Sequence, residues 1–148
     1  MSDHNHEFPG RILIQRIEDY HTHFCGSRRQ NGHLFLGFVT HEFIKDNSPV
    51  GGRLEYLDVV FEFSPNGRFL RLLKMESTID ANRSLANLEQ LMNTLGPVDF
   101  HDIEVDLFET SMDGIQFGLI PDPEFGFINL QPGSPIAFYS PWDGDYYT

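Results

Sequence analysis

Leu54-Glu-Tyr-Leu-Asp-Val-Val-Phe-Glu-Phe63, Ser64-Pro65-Asn66-Gly67 and Arg68-Phe-Leu-Arg-Leu-Leu-Lys-Met75 follow one another without a break, and their reading decides the fold. Two apolar-rich stretches meet across a turn signal too short to hold anything but a hairpin. A two-residue Asn-Gly turn would set Phe63 opposite Leu70 and Val59 opposite Lys74, mixing the faces. A three-residue loop, with Pro65 presetting the first dihedral and Gly67 in the left-handed region, sets Phe63 opposite Phe69, Val59 opposite Leu73 and Leu57 opposite Met75. One face is then apolar apart from Arg71. The longer loop is preferred because a one-residue slip moves every side chain to the other face.

The same pattern spreads outward. Arg11 to Cys25 and His33 to Phe43 flank Gly26–Gly32, which carries an Asn31-Gly32 turn pair. Ile103 to Glu109 and Ile115 to Ile120 flank Met112-Asp113-Gly114, where a three-residue loop would set Leu107 opposite Leu119 and bring Glu104 near Asp122. Phe125 to Leu130 and Pro135 to Tyr139 make a last hairpin, whose prolines point to a sheet edge. One segment changes period: Leu85, Leu88, Leu91, Met92 and Leu95 recur at helical spacing, with Asp80 as N-cap and Gly96-Pro97 as stop. The expectation is an α+β domain over residues 11–148, of order ββββαββββ. It is a mainly antiparallel sheet of hairpins with one amphipathic helix, about 80–95, packed on a face. Residues 1–10 are polar, end in Pro9-Gly10 and are expected to be a flexible leader.

A chain of 148 residues is long enough to bury a core of its own, and 14 Phe and 5 Tyr are too many for a disordered one. The lone cysteine, Cys25, has no internal bridging partner. Without a signal-like N-terminus or an apolar run of about 18 residues, the expected setting is cytoplasmic and away from membranes. Charge is polarised. No Lys or Arg follows Arg83, while eleven carboxylates run from Glu89 to Asp145, so nearly all of the net charge of −12 belongs to the last 65 residues. Ten basic residues in all argue against nucleic acid, which is bound by displacing counterions from phosphates.

Few residues suggest chemistry. No Gly-x-Ser-x-Gly, phosphate loop, His-Glu-x-x-His or Cys-x-x-Cys is present. His21, His23 and Cys25 alternate on one strand face and form a metal-binding or catalytic stripe in the alternative reading, although a metal needs a complete ligand set and the plain reading is an ordinary strand. No cofactor is expected. Asp102, Glu104 and Asp106 alternate with Ile103, Val105 and Leu107. That places three carboxylates on one face, either neutralised by arginines of the first half or offered to a basic partner. The ending Pro141-Trp142-Asp143-Gly144-Asp145-Tyr146-Tyr147-Thr148 holds the only Trp and either packs back on its own sheet or anchors another chain.

Taken together, Phe24-Cys25-Gly26, Gly32-His33-Leu34-Phe35-Leu36-Gly37, Phe61-Glu62-Phe63-Ser64-Pro65-Asn66-Gly67, Asp102-Ile103-Glu104-Val105, Asp113-Gly114-Ile115-Gln116-Phe117-Gly118-Leu119 and the Pro-Trp-Asp-Gly ending resemble a bacterial family. It comprises small proteins labelled formate hydrogenlyase regulatory protein-like, and the likeness spans about 125 residues. The resemblance implies a cytoplasmic, non-catalytic regulator that acts by contacting another protein, and it implies no catalytic residues. The sequence therefore favours a regulatory or binding protein whose acidic, aromatic-rich second half contacts a protein partner, a basic one by charge. Asp102, Glu104, Asp106, Trp142, Asp143, Asp145 and Tyr146 are the candidate contacts. A homodimer formed by an exposed edge strand is a further alternative.

Overall fold

A computed structural model of the chain describes residues 8–16, 23–78, 80–112, 114–133 and 136–147. His4, His6 and His21 lie outside these residues, as does the expected leader before Phe8. The strands are β1 (Arg11–Ile14), β2 (His23–Arg28), β3 (Leu34–Lys45), β4 (Gly52–Phe63) and β5 (Phe69–Thr78). Helix α1 (Ala81–Thr94) follows. Then come β6 (Val98–Phe100), β7 (Ile103–Asp106), β8 (Phe108–Met112), β9 (Ile115–Asp122), β10 (Phe127–Gln131), β11 (Ala137–Phe138) and β12 (Tyr146–Tyr147). The architecture is the α+β one expected, with a single helix among antiparallel hairpins.

The strands form three groups: a first sheet of order β5-β4-β3-β2-β6, a second of order β12-β11-β10-β9-β8, and a ribbon β1-β7. Leu36, Phe38, Leu57, Val59, Phe61 and Phe63 on the first sheet share one buried cluster with Phe117, Leu119, Ile128, Leu130 and Phe138 on the second. Ile12, Ile14, Ile103 and Val105 join it from the ribbon. Two sheets packed face to face leave the outer face of the first for the helix, which gives three layers. Phe61 is the hub of the middle: its ring lies 5.5 Å from Phe38, 5.9 Å from Phe69, 5.0 Å from Phe108 and 6.4 Å from Phe117.

The helix forms where its period places it. The Asp80 carboxylate accepts from the backbone N–H of Asn82 at 3.0 Å and of Arg83 at 3.4 Å, capping donors that have no partner within the helix. Leu88, Met92 and Leu95 are buried against Phe35 and Val60, with Leu91 packed beside them. Gly37 of β3 permits this approach. A Cβ there would lie 3.1 Å from Met92 Sδ and 3.3 Å from Leu88 Cδ1, tighter than ordinary packing.

The deciding hairpin has the three-residue loop, with Phe63 opposite Phe69, but the register then slips twice, between Val60 and Phe61 and between Glu62 and Phe63. Val59 therefore faces Met75 rather than Leu73, and Leu57 faces Ser77 rather than Met75. Each slip lets β5 carry an extra residue. Arg71 consequently leaves the apolar face and meets Glu62, while Leu72 takes its place opposite Phe61. The loop is held by Gly67, whose φ is +91° and whose added Cβ would lie 2.3 Å from Glu104 O of the ribbon. Gly67→Ala combines backbone strain with a clash against main chain, and a loss of about 2 kcal/mol is expected in urea unfolding.

Other expectations need correction. Arg11 to Cys25 is divided between ribbon and first sheet, with β1 ending at Ile14 and β2 beginning at His23. Ile103 to Glu109 is likewise divided, with Leu107 between β7 and β8 donating its N–H to Gly10 O at 3.1 Å. That bond and the packing of Phe8 on the core hold the end of the expected leader in place. The β8–β9 turn is the two-residue one: Met112 faces Ile115 and Phe108, not Leu107, faces Leu119. The shorter turn lets Phe108 stack on Phe69, with centroids 4.0 Å apart and planes 4° from parallel. Finally, β11 is not an edge, because the last residues add β12 outside it.

Candidate functional site

The carboxylate stripe begins on the ribbon. Along β7, Ile103 and Val105 are buried and Glu104 is exposed, as alternation requires. Glu104 lies opposite Leu13, not near Asp122, which pairs with Phe127. Asp106 accepts from Arg11 through Nε at 3.1 Å and Nη2 at 3.0 Å, so this charge is met by an arginine of the first half. Asp102 accepts from the backbone N–H of Arg16 at 2.8 Å. Glu104 remains the open carboxylate of the three.

A larger concentration of charge surrounds the second sheet. Asp122 closes the β9–β10 turn by accepting from the N–H groups of Glu124 at 3.0 Å and Phe125 at 3.3 Å. Asp143 accepts from Asp145 N at 3.3 Å, and Glu109 from Gln116 Nε2 at 2.5 Å, beside a shallow polar depression that Thr110 and Ser111 also line. All five strands of this sheet come after Arg83, so none supplies a cation. Among the described residues no Lys or Arg pairs with Glu109, Asp122, Glu124, Asp143 or Asp145.

The aromatic ending packs back on the chain. Trp142 is partly buried on the main core, its ring 6.1 Å from Phe8. Its φ of +67° is rare for a side chain of that size, and the turn is held by Trp142 N donating to Tyr139 O at 3.0 Å and Gln15 Nε2 donating to Asp143 O at 2.7 Å. Tyr146 pairs with Phe138 across β11–β12 and sets its ring edge-on to His23, with its hydroxyl 2.9 Å from His23 Nε2. Trp142 and Tyr146 thus serve packing, whereas Asp143 and Asp145 face solvent.

His23 and Cys25 share the inner face of β2, but in a setting that suits packing. His23 is 8% exposed and Cys25 is fully buried. The thiol donates to His101 O at 3.3 Å, and its pKa is pushed up to about 12 by burial, reinforced by Asp102 and opposed by Arg16. A thiol held protonated at neutral pH is a poor nucleophile and a poor metal ligand. Among the described residues no three His, Cys, Asp or Glu side chains converge to hold a metal, and His21, the remaining member of the stripe, lies outside them.

Burial also lowers the pKa of His23 below its ordinary 6.5, since desolvation disfavours imidazolium. The unfolded chain then binds the extra proton more readily. The stability this residue contributes is complete above pH 6.5 and falls away as the pH drops below it. Thermal scans between pH 7 and 5 should show a decline in the native protein that His23→Gln flattens.

Two further clusters escape a linear reading. Glu62, 1% exposed, accepts from Arg28 Nη1 and Arg71 Nε at 2.7 Å each, while Arg28 Nε donates to Leu95 O at the end of α1. Burial pushes the Glu62 carboxyl up, but the two guanidinium groups outweigh it and hold the pKa below its ordinary 4.5. On the opposite side of β2, Ser27 Oγ lies 2.7 Å from His101 Nε2, whose Nδ1 lies 2.7 Å from Asp102 O. These residues stand 74 positions apart and meet because β6 pairs with β2, with Ser27 opposite Asp99. No local motif spans such a distance; the only sequence sign is two polar residues in strand-like segments. No family model, curated protein or solved structure matches the chain.

Proposed function

We propose that this protein is a regulatory or binding protein of the cytoplasm that engages a basic protein surface through its acidic second half, a role in which contact rather than catalysis does the work. The reading rests on one observation: the second sheet and its turns carry Glu109, Asp122, Glu124, Asp143 and Asp145 with no Lys or Arg bridging them among the described residues. Carboxylates of one sign on a rigid surface create a field that speeds encounter with positive partners and repels phosphate backbones and anionic lipids. No helix among the described residues is long and apolar enough to cross a membrane, in keeping with this reading.

Within this reading the carboxylates differ in what they can offer a partner. Asp106 contributes little because the Arg11 guanidinium already meets it, whereas Asp102, Glu104, Asp143 and Asp145 are exposed and bridged by no Lys or Arg among the described residues. Trp142 and Tyr146 hold the ending that presents Asp143 and Asp145. The resemblance to the formate hydrogenlyase regulatory protein-like family implies a role of the same kind, regulation by contact.

The test compares the native chain with Glu109→Gln, Asp122→Asn, Glu124→Gln, Asp143→Asn and Asp145→Asn combined. The Asn residues retain an oxygen for the turn bonds. The native chain is used to recover and identify a partner at low salt, and the purified pair is then titrated over a salt series. A basic partner bound at least 10-fold more weakly by the neutralised chain, with a shallower salt dependence, supports the reading. Equal affinity for both chains, or self-association as the sole product, overturns it.

A further inference from the structure

The relay at the β6 edge of the first sheet goes beyond a binding role. Asp102 O is a carbonyl and can only accept, so the bond at 2.7 Å requires the imidazole proton of His101 to sit on Nδ1. Nε2 of the neutral ring then carries the lone pair, and Ser27 Oγ, 2.7 Å away, must be the donor. That is the order of parts that activates a serine: hydroxyl, base, and a group fixing the base in the correct tautomer. A backbone carbonyl here replaces the usual carboxylate.

The setting is suitable in one further respect. His101 is exposed and Ser27 partly so, which leaves the pair open to a reagent. Beside them Arg29 and Asp99, the cross-strand neighbour of Ser27, pair through Nε at 3.0 Å and Nη2 at 2.8 Å and offset each other's charge. Among the described residues this edge provides little surface to hold a substrate, so reactivity must come from the ester itself.

We propose that Ser27 is a base-activated nucleophile toward small carboxylic esters with good leaving groups, with His101 as its general base and Asp102 O as the group that positions the imidazole. Ser27 Oγ forms a bond to the acyl carbon while its proton passes to His101 Nε2. The acyl–oxygen bond breaks and the leaving alcohol or phenol takes that proton. Water, deprotonated by the same Nε2, then cleaves the Ser27 ester to release the carboxylic acid and restore the hydroxyl.

The test uses the full chain with a fluorophosphonate probe and with p-nitrophenyl acetate. Native protein, Ser27→Ala and His101→Gln are compared, each checked for native-like thermal unfolding. The expected result is a single adduct per chain mapped to Ser27, absent in Ser27→Ala and formed roughly 100-fold more slowly in His101→Gln. Absence of an adduct at Ser27 in the native protein, or an unchanged rate in His101→Gln, overturns the proposal. The native-protein mapping decides the matter even if a variant fails to fold. Because no residue of the second sheet takes part, the outcome is independent of the proposed docking role.

Discussion

Phe61→Ala should cost about 3 to 5 kcal/mol, the range for removing a large aromatic from a packed interior. Phe61 is fully buried, and its ring bridges the layers, touching Phe38 beside it, Phe69 across the hairpin, and Phe108 and Phe117 on the second sheet. Those neighbours are themselves locked: Phe69 stacks on Phe108, and Phe63 meets both. They cannot collapse into the gap. The loss therefore includes a cavity penalty as well as the lost transfer free energy, and it is a large share of the ~5 to 15 kcal/mol that holds a domain together. Urea unfolding of Phe61→Ala beside Phe61→Leu checks this. The Leu variant should lose markedly less, and equal losses would show that ring packing between the sheets is not what stabilises the core.

Glu62→Ala should be comparably severe, again about 3 to 5 kcal/mol, because it leaves charge behind in a desolvated place. The two arginines differ. The Arg71 side chain is 60% exposed and can turn to water, whereas Arg28 is only 16% exposed and is tied to Leu95 O. Most of the cost should come from Arg28, so Arg28→Met combined with Glu62→Leu should recover much of what Glu62→Ala loses. A double variant as unstable as the single one would contradict this account. The native pair also has a pH signature. With the Glu62 carboxyl held below its ordinary 4.5, the stability it confers is present above that pH and disappears as the pH falls through the folded-state value.

How much of this could be read in advance depended on the range of the interaction. Asp80, the Leu85 to Leu95 stripe and Gly96-Pro97 located α1 nearly to the residue, since capping and helical period are local. Pro65-Asn66-Gly67 likewise specified its own loop. The strand beyond it did not follow, because the slips bring Arg71 to a carboxylate that Arg28 of β2 also meets, a contact between three strands that no local pattern signals. Met112-Asp113-Gly114 takes the shorter turn for a related reason: Leu107 and Phe108 are both apolar, and the Phe69 ring on which Phe108 stacks lies far off in the chain. The candidate site divides in the same way. Alternation placed Glu104 outward correctly, and an arginine of the first half does meet one of the stripe's carboxylates, but which of them pair was not legible, because Arg11 lies 95 residues from Asp106.

The sequence alone determined the class of fold, the helix, the Pro65-Asn66-Gly67 loop and the one-sided charge, because propensity, period and composition act between near neighbours or over the whole chain at once. Tertiary structure decided that the hairpins divide into two facing sheets and that the aromatic ending folds inward over His23. It also decided which carboxylates keep their charge open to solvent and that Ser27 meets His101. Each of these depends on side chains far apart in the chain finding one another as apolar surface leaves water, a pairing that no local pattern encodes.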